Sequence, residues 1–346
     1  MRIAIVNDSA LAREVLRRVV LSQPGYVVAW QAEDGEEAVA RATADPPDVI
    51  LMDLIMPRLD GVAATRQIMK HAPCPILVVT VSVSNNYALA CQAMGAGALD
   101  AVDTPQLSPT GTILNAEKLI RRLKQLEAEL AGVTGSSVIA VQKVGPAPAD
   151  FPPLVLLGAS TGGPEALTHI LSSFPKDFPA AVLISQHIGV DFAPGLVQQL
   201  ATWCRLPVRA AKSGDAPNPG WVYVAVSNDH LELGPDRLLR YTAHPRHCPY
   251  RPSIDVLFTS AAAHSARLGV AALLTGMGAD GAAGLLRLRS VGWHTIAQDE
   301  ATCVVYGMPK AAMERRAAVE VLPLQHIGDS IVSKILAQTR NSPRPD

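Results

Sequence analysis

The sequence predicts an α/β protein of two domains, each a mainly parallel, doubly wound sheet with helices on both faces. Three observations predict it. Over residues 1–105, short apolar runs alternate with segments of 3.6-residue periodicity, the pattern of strands joined by crossover helices. From Phe151 the same alternation resumes. Between them, Ala131–Asp150 thins into Gly, Ser, Ala and Pro. A chain of 346 residues also suits two domains at roughly 150 residues each, both able to bury a core.

In the first region Arg2–Val6, Val27–Trp30, Val49–Met52, Ile76–Val79 and Leu99–Val102 read as strands, with helical periodicity over Leu11–Leu21 and Gly35–Thr43. Ala116–Leu130 is a charged helical stretch, and Gly145–Pro148 is the least ordered-looking part of the linker. In the second region Leu154–Leu157, Ala181–Ile184, Trp221–Val226, Val270–Leu274 and His294–Ala297 have strand length. Trp221–Tyr241 reads as short antiparallel strands turning at Leu233–Asp236, and the tail after Ser342 reads as disordered. The expected domains are 1–110, a linker 111–150, and 151–340.

Composition narrows the function classes. Lys and Arg number 30 against 31 Asp and Glu, which argues against a nucleic-acid or anionic-membrane partner. The five cysteines, Cys74, Cys91, Cys204, Cys248 and Cys303, show no CxxC spacing, which suits reduced thiols in the cytoplasm. No apolar run reaches 18 residues and the N-terminus reads as a strand, so neither a membrane span nor a signal peptide is expected. The expectation is a cytoplasmic monomer.

In the first domain Asp8 follows the first strand, Asp53 the third, Thr80 ends the fourth, and Thr104-Pro105 follows the fifth. Ligands on parallel sheets sit outside the carboxyl ends of the strands, where these positions converge. Asp8 and Asp53 can hold Mg²⁺ through oxygens and waters, and Asp53 can attack a phosphoryl donor. Either aspartate alone is as readily a loop or cap residue. Together with Asp53-Leu54-Ile55-Met56-Pro57-Arg58-Leu59-Asp60-Gly61 they make residues 1–105 resemble a response-regulator receiver domain. That resemblance implies a flavodoxin-like (βα)5 fold and phosphorylation of Asp53 by a CheA-like histidine kinase with Mg²⁺. Two departures stand out. Asn7-Asp8 replaces the family's acidic pair, and Thr104 replaces its lysine. Asn7 removes a charge, although its amide oxygen can accept from a metal-bound water. Phosphorylation is expected to persist at reduced efficiency.

The second domain carries Gly158-Ala159-Ser160-Thr161-Gly162-Gly163 directly after a strand, then Pro164 and a helix-like Glu165–Leu171. Pro164 suits a first helical turn, and glycine permits positive φ. Such a turn lifts Ser160 toward unpaired helix N-terminal amides that can stabilise an oxyanion. His187 follows Ala181–Gln186, and Asp280 lies in Thr275–Gly281. A serine hydroxyl needs a base, histidine suits that task near neutrality, and an aspartate can fix its tautomer. Each has a plain alternative: a helix N-cap, a core histidine, and a cap of the Gly281–Arg287 helix. The pattern G-x-S-x-G also fits the α/β-hydrolase elbow, but that fold runs nucleophile, acid, histidine, whereas this chain runs Ser160, His187, Asp280. A phosphate-binding loop lacks its Lys-Ser/Thr ending.

This order, with Gly158–Pro164, Gln186–Ile188, Arg251–Asp255, Thr275–Gly281, Gln298–Ala301 and Gly307–Lys310, closely resembles the catalytic domain of the CheB protein-glutamate methylesterase family. The resemblance implies Ser160 as nucleophile, His187 as base and Asp280 as orienting carboxylate, with no cofactor for the esterase. It implies an oxyanion contact from the Met277 backbone N–H and a substrate or oxyanion contact from Thr161. The implied substrate is a glutamate γ-methyl ester on the cytoplasmic domain of a methyl-accepting chemoreceptor, with glutamine deamidation as a related activity. In the family the unphosphorylated receiver covers the catalytic edge. Val6–Asp8, Asp53–Pro57, Gly97–Val102 and Thr104-Pro105 also resemble WspF-type regulators of a surface-sensing pathway. Two other classes stay open: a non-catalytic docking module and a small-molecule esterase. His244-Pro245-Arg246-His247-Cys248 looks like a short metal cluster but reads better as a surface loop. Ser253 reads as a helix cap with Asp255 in the first turn, and Arg251 as either capping or substrate-orienting.

Overall fold

The computed structural model describes residues 1–83, 85–130, 151–246, 248 and 250–340. The expected disorder at Gly145–Pro148 and after Ser342 lies outside the described residues. Two compact units are present, Met1–Val133 and Thr134–Asp346.

Unit one runs β1 (Arg2–Val6), α1 (Ala10–Leu21), β2 (Val27–Ala32), α2 (Gly35–Ala44), β3 (Val49–Met52), α3 (Gly61–His71), β4 (Ile76–Thr80), α4 (Tyr87–Gly95) and β5 (Asp100–Asp103). A small hairpin, β6 (Gln106–Leu107) with β7 (Ile113–Leu114), precedes α5 (Glu117–Leu130). The five-stranded sheet has order β2-β1-β3-β4-β5 with parallel pairs throughout, the flavodoxin-like winding. Burial on both faces explains why β3 reads as an unbroken apolar run: all four of its residues are buried. The helices begin where the sequence supplies caps. Ser9 accepts from the Ala12 N–H at α1, and Asp60 accepts from the Ala63 N–H at α3. α1 then buries Val15, Leu16, Val19 and Val20, one face of a 3.6-residue repeat.

Unit two continues with β8 (Leu154–Ala159), α6 (Gly163–Ser172), β9 (Ala181–Gln186), α7 (Ala193–Trp203), β10 (Val208–Ala210), β11 (Val222–Val224), β12 (His230–Leu233), β13 (Leu239–Thr242) and α8 (Ile254–His264). It closes with β14 (Val270–Leu273), α9 (Ala282–Ser290), β15 (His294–Gln298), α10 (Met308–Glu314), β16 (Glu320–Leu322) and α11 (Leu324–Arg340). The seven-stranded sheet has order β10-β11-β9-β8-β14-β15-β16, all parallel. β8 lies at its centre with every residue buried, and the order reverses between β8 and β14. That reversal is the switch point where a doubly wound sheet opens a crevice.

One strand assignment needs correction. Val222–Val224, expected within a set of short antiparallel strands, lies in the main sheet, parallel to β9 and β10. The antiparallel expectation holds only for β12 and β13, which pair around the turn after Leu233. The edge strands β10 and β16 escaped the sequence. Each has three residues, mostly half-buried, too few to show periodicity. The core joins β8, β9, β14 and β15 to α8 and α9 through Leu156, Leu183, Leu273, Ala297, Phe258 and Leu285. Among the described residues no helix is long and apolar enough to cross a membrane.

Candidate active site

The site is built at the carboxyl end of β8. Ser160 is the first residue past the strand, and its N–H donates to the Thr275 carbonyl across the switch point (3.0 Å). The Ser160 carbonyl accepts from the Gly163 N–H at 2.8 Å. Gly162 is left-handed (φ +77°), and a Cβ there would strike Val304, so the turn requires glycine. α6 begins at Gly163 with Pro164 in its first turn, as the sequence predicts. Gln186 ties two of the expected residues together: its Nε2 donates to the carbonyls of Ser160 (2.8 Å) and His187 (3.0 Å). Gly276 lies directly against the serine, since an added Cβ would sit 2.6 Å from Ser160 Cβ. Met277 is the next residue in the chain. Thr161 is also brought in. Its carbonyl accepts from Thr275 Oγ1 (2.9 Å), while its own buried hydroxyl has no partner among the described residues.

His187 and Asp280 meet directly. Their Nε2 and Oδ2 atoms are 2.7 Å apart, and Ser160, His187 and Asp280 are 5%, 8% and 6% exposed. The bond to a carboxylate makes Nε2 the protonated nitrogen and leaves Nδ1 as the basic one. Nδ1 is buried without a partner, and no hydrogen bond joins Ser160 Oγ to His187 among the described residues. Catalytic hydrogen bonds are often open in the free enzyme and close around substrate.

Asp280 does not cap the helix that follows it; its carboxylate sits at the N-terminus of α8. Oδ2 accepts from the Ile254 N–H (2.7 Å), and Oδ1 accepts from Ser253 Oγ (2.8 Å) and the Asp255 N–H (3.2 Å). Burial opposes its ionisation. The His187 hydrogen bond and charge, the Ile254 N–H and the Ser253 hydroxyl outweigh that and hold its carboxyl below the ordinary value. Its neighbour Asp255 goes the other way: burial, then the charge of Asp280, push it up to about 7. Asp255 accepts from the Gly284 N–H.

Ser253 has two roles. It caps α8 as expected, accepting from the Val256 N–H, and the same hydroxyl donates to Asp280. Its N–H donates to His230 Nδ1 (3.0 Å), a buried imidazole whose pKa burial lowers. Arg251 donates to the Arg246 carbonyl. Tyr250 was missed altogether: its ring stacks on His187 with centroids 4.0 Å apart and planes 8° from parallel. Of the metal-like run His244–Cys248, His247 lies outside the described residues. Among the described residues no group of three or more His, Cys, Asp or Glu is placed to hold a metal ion.

The second cluster lies in unit one, at the carboxyl ends of β1, β3, β4 and β5. Asn7, Asp53 and Thr80 are buried there and Asp8 is exposed. Asn7 Nδ2 donates to Asp53 Oδ2 (2.8 Å), and the Leu54 N–H donates to Oδ1 (2.7 Å). The Asn7 amide oxygen accepts from the Ser9 N–H (2.8 Å). Thr80 Oγ1 accepts from Asn86 Nδ2 (2.9 Å). The Thr104 N–H donates to the Thr80 carbonyl, and its buried hydroxyl has no partner among the described residues. Burial raises the Asp53 carboxyl to about 6; the Leu54 and Ile55 N–H groups resist, and Asp8 adds to the rise.

These residues fit a hard divalent cation. The set is carboxylate oxygen, and a cation beside Asp8 and Asp53 would offset the burial and like charge that disfavour ionised Asp53. Because the folded chain holds this proton more tightly than the unfolded one, Asp53 stabilises unit one below about pH 4. That stability is lost as pH rises through about 6. A carboxyl ¹³C NMR titration is expected to show Asp53 titrating near 6 and moving down with added Mg²⁺. Titration near the ordinary 3.8 would contradict this account of the pocket.

Comparisons with known proteins bear on both units. Residues 155–331 match the family model of CheB methylesterase, and residues 3–108 match that of the response regulator receiver domain. A Burkholderia lata protein named protein-glutamate methylesterase/protein-glutamine glutaminase 2 is 51% identical over 99% of this chain and 100% of its own length. A Burkholderia thailandensis protein of the same name, numbered 4, is 50% identical over 97% of this chain and 98% of its own. The crystal structure of the Thermotoga maritima CheB methylesterase catalytic domain aligns with a TM-score of 0.50 at 33% identity, covering 53% of this chain and 98% of that one. A flavodoxin-like receiver unit, a parallel seven-stranded unit open at its switch point, and full-length relatives at half identity lead to one assignment: this chain belongs to the CheB methylesterase family, with an N-terminal response-regulator receiver domain.

Proposed function

We propose that this chain is a response-regulated protein-glutamate methylesterase, organised as a receiver (1–110), a linker (111–150) and a catalytic domain (151–340). The observation that carries the reading is His187. One nitrogen is bonded to Asp280 at 2.7 Å, and the other is buried with no partner among the described residues and so is available to take a proton. Ser160 Oγ attacks the ester carbonyl of a γ-methyl glutamate while His187 Nδ1 takes its proton. The oxyanion forms against backbone N–H groups of the crevice, with Met277 and Thr161 as its contacts. The tetrahedral intermediate collapses, His187 returns the proton to the departing methoxide, and methanol leaves. Water, deprotonated by His187, then hydrolyses the acyl-serine to free glutamate. Asp280 stays ionised and stabilises the imidazolium. Deamidation of glutamine uses the same acyl intermediate with ammonia leaving.

The substrate is the cytoplasmic domain of a methyl-accepting chemoreceptor, and the phosphodonor to Asp53 is a CheA-like histidine kinase. Asp8 and Asp53 would hold Mg²⁺, which would supply charge neutralisation for that transfer. Asn7 and Thr104 bear on control. With the Asn7 amide bonded to Asp53, phosphorylation is expected to be slower than in a receiver with the acidic pair and lysine, the reading that favours a WspF-like surface-sensing role.

Incubation with a methylated chemoreceptor cytoplasmic fragment is expected to release methanol, and small esters to react at least tenfold more slowly. Reaction with small esters but none with the fragment would overturn the substrate assignment in favour of a general esterase.

A further inference from the structure

Tyr250 enters the site from a segment outside the sheet, between β13 and α8, and is 6% exposed. Its ring covers one face of the His187 imidazole, 4.0 Å away and within 8° of parallel. The hydroxyl end points at the backbone after Met277: a Cβ on Gly278 would lie 2.4 Å from Tyr250 Oη. The residue therefore spans the crevice wall from the base to the stretch that carries Met277.

An imidazole held at one nitrogen keeps two freedoms, which nitrogen faces the acid and the tilt of the ring plane. The Asp280 bond settles the first. Among the described residues Nδ1 makes no bond that would settle the second. A flat aromatic side chain against the ring face does. It also excludes water from that face, and its π-cloud attracts the imidazolium that forms when His187 takes a proton.

We propose that Tyr250 is a positioning residue for His187, fixing the plane in which Nδ1 points at the nucleophile and favouring the protonated ring during turnover. This rests on the esterase reading above. The role belongs to the aromatic face and not to the hydroxyl. It therefore acts on kcat and leaves the grip on substrate unchanged.

The test is methanol release by the full chain from the methylated receptor fragment. Tyr250→Phe is expected to keep kcat within twofold. Tyr250→Leu is expected to lower kcat about tenfold with KM within twofold of native and a folded spectrum by circular dichroism. An unchanged kcat in Tyr250→Leu overturns the proposal, and so does a loss that appears wholly in KM. If the leucine variant does not fold, Tyr250→Phe and Tyr250→Trp decide. A tenfold loss in the phenylalanine variant assigns the role to the hydroxyl and overturns the proposal, whereas near-native rates in both ring variants support it. A native chain that releases no methanol overturns the esterase reading itself, an outcome distinct from each of these.

Discussion

Replacing Ser160 by alanine is expected to lower methanol release by roughly 10⁵-fold or more, to a residue of catalysis contributed by binding and oxyanion contacts. The fold should survive, because the Ser160 hydroxyl makes no hydrogen bond among the described residues. Ser160 is anchored by its main chain, through the N–H to Thr275 and the carbonyl to Gly163 and Gln186. Alanine keeps each of those bonds and fits the same turn, so thermal stability should change little. Substrate affinity should change little too, since Oγ forms its covalent bond only in the reaction. The signature is thus a collapse of kcat with KM and melting temperature near native values. Methanol release by the alanine variant at a comparable rate would remove Ser160 from the mechanism.

The Asp280→Asn variant is expected to lose roughly 10⁴-fold in kcat, for a different reason. Asp280 accepts four hydrogen bonds, two on each oxygen. Asparagine has a single acceptor oxygen, so its amide N–H₂ must oppose one pair of donors. If it faces His187 and Ile254, it donates to Nε2 and drives the imidazole proton to Nδ1, where the base is needed. If it faces Ser253 and Asp255, the α8 N-terminus keeps an unsatisfied N–H, at a cost of about 1–3 kcal/mol. Either arrangement also removes the negative charge that stabilises the imidazolium. The variant should therefore be slower and less stable, in contrast to Ser160→Ala. Melting temperature and kcat measured on both proteins separate the two roles. A near-native rate for Asp280→Asn would mean that His187 does not depend on this partner.

The sequence was informative where chemistry sits at the ends of long, buried strands. β8 is an unbroken apolar run and β9 is apolar through Ile184, so Ser160 and His187 could be placed just past the ends of these strands. The glycines around Ser160 pointed to a tight turn, and the left-handed Gly162 is such a turn. Asp280 was nameable only through its motif, because it lies beyond the end of β14 and is positioned by α8 rather than by the sheet. What the sequence hid was contact between segments distant along the chain. Nothing local to Tyr250 announces an imidazole face, since the stack forms only when the segment after β13 folds across the end of β9. Likewise Asn7 was visible as a departure from the receiver pattern, but not as a donor to Asp53. The edge strands β10 and β16 were lost because three half-exposed residues leave no pattern.

The claim at the centre of this account is that Ser160 is the nucleophile and that His187 makes it reactive. Intact-mass measurement after exposure to a serine-directed fluorophosphonate tests it most directly. The native chain is expected to gain one adduct, mapped to the peptide containing Ser160, while Ser160→Ala gains none and His187→Gln is labelled far more slowly. An adduct of equal yield on Ser160→Ala, or a native chain that stays unlabelled while still releasing methanol, would contradict it.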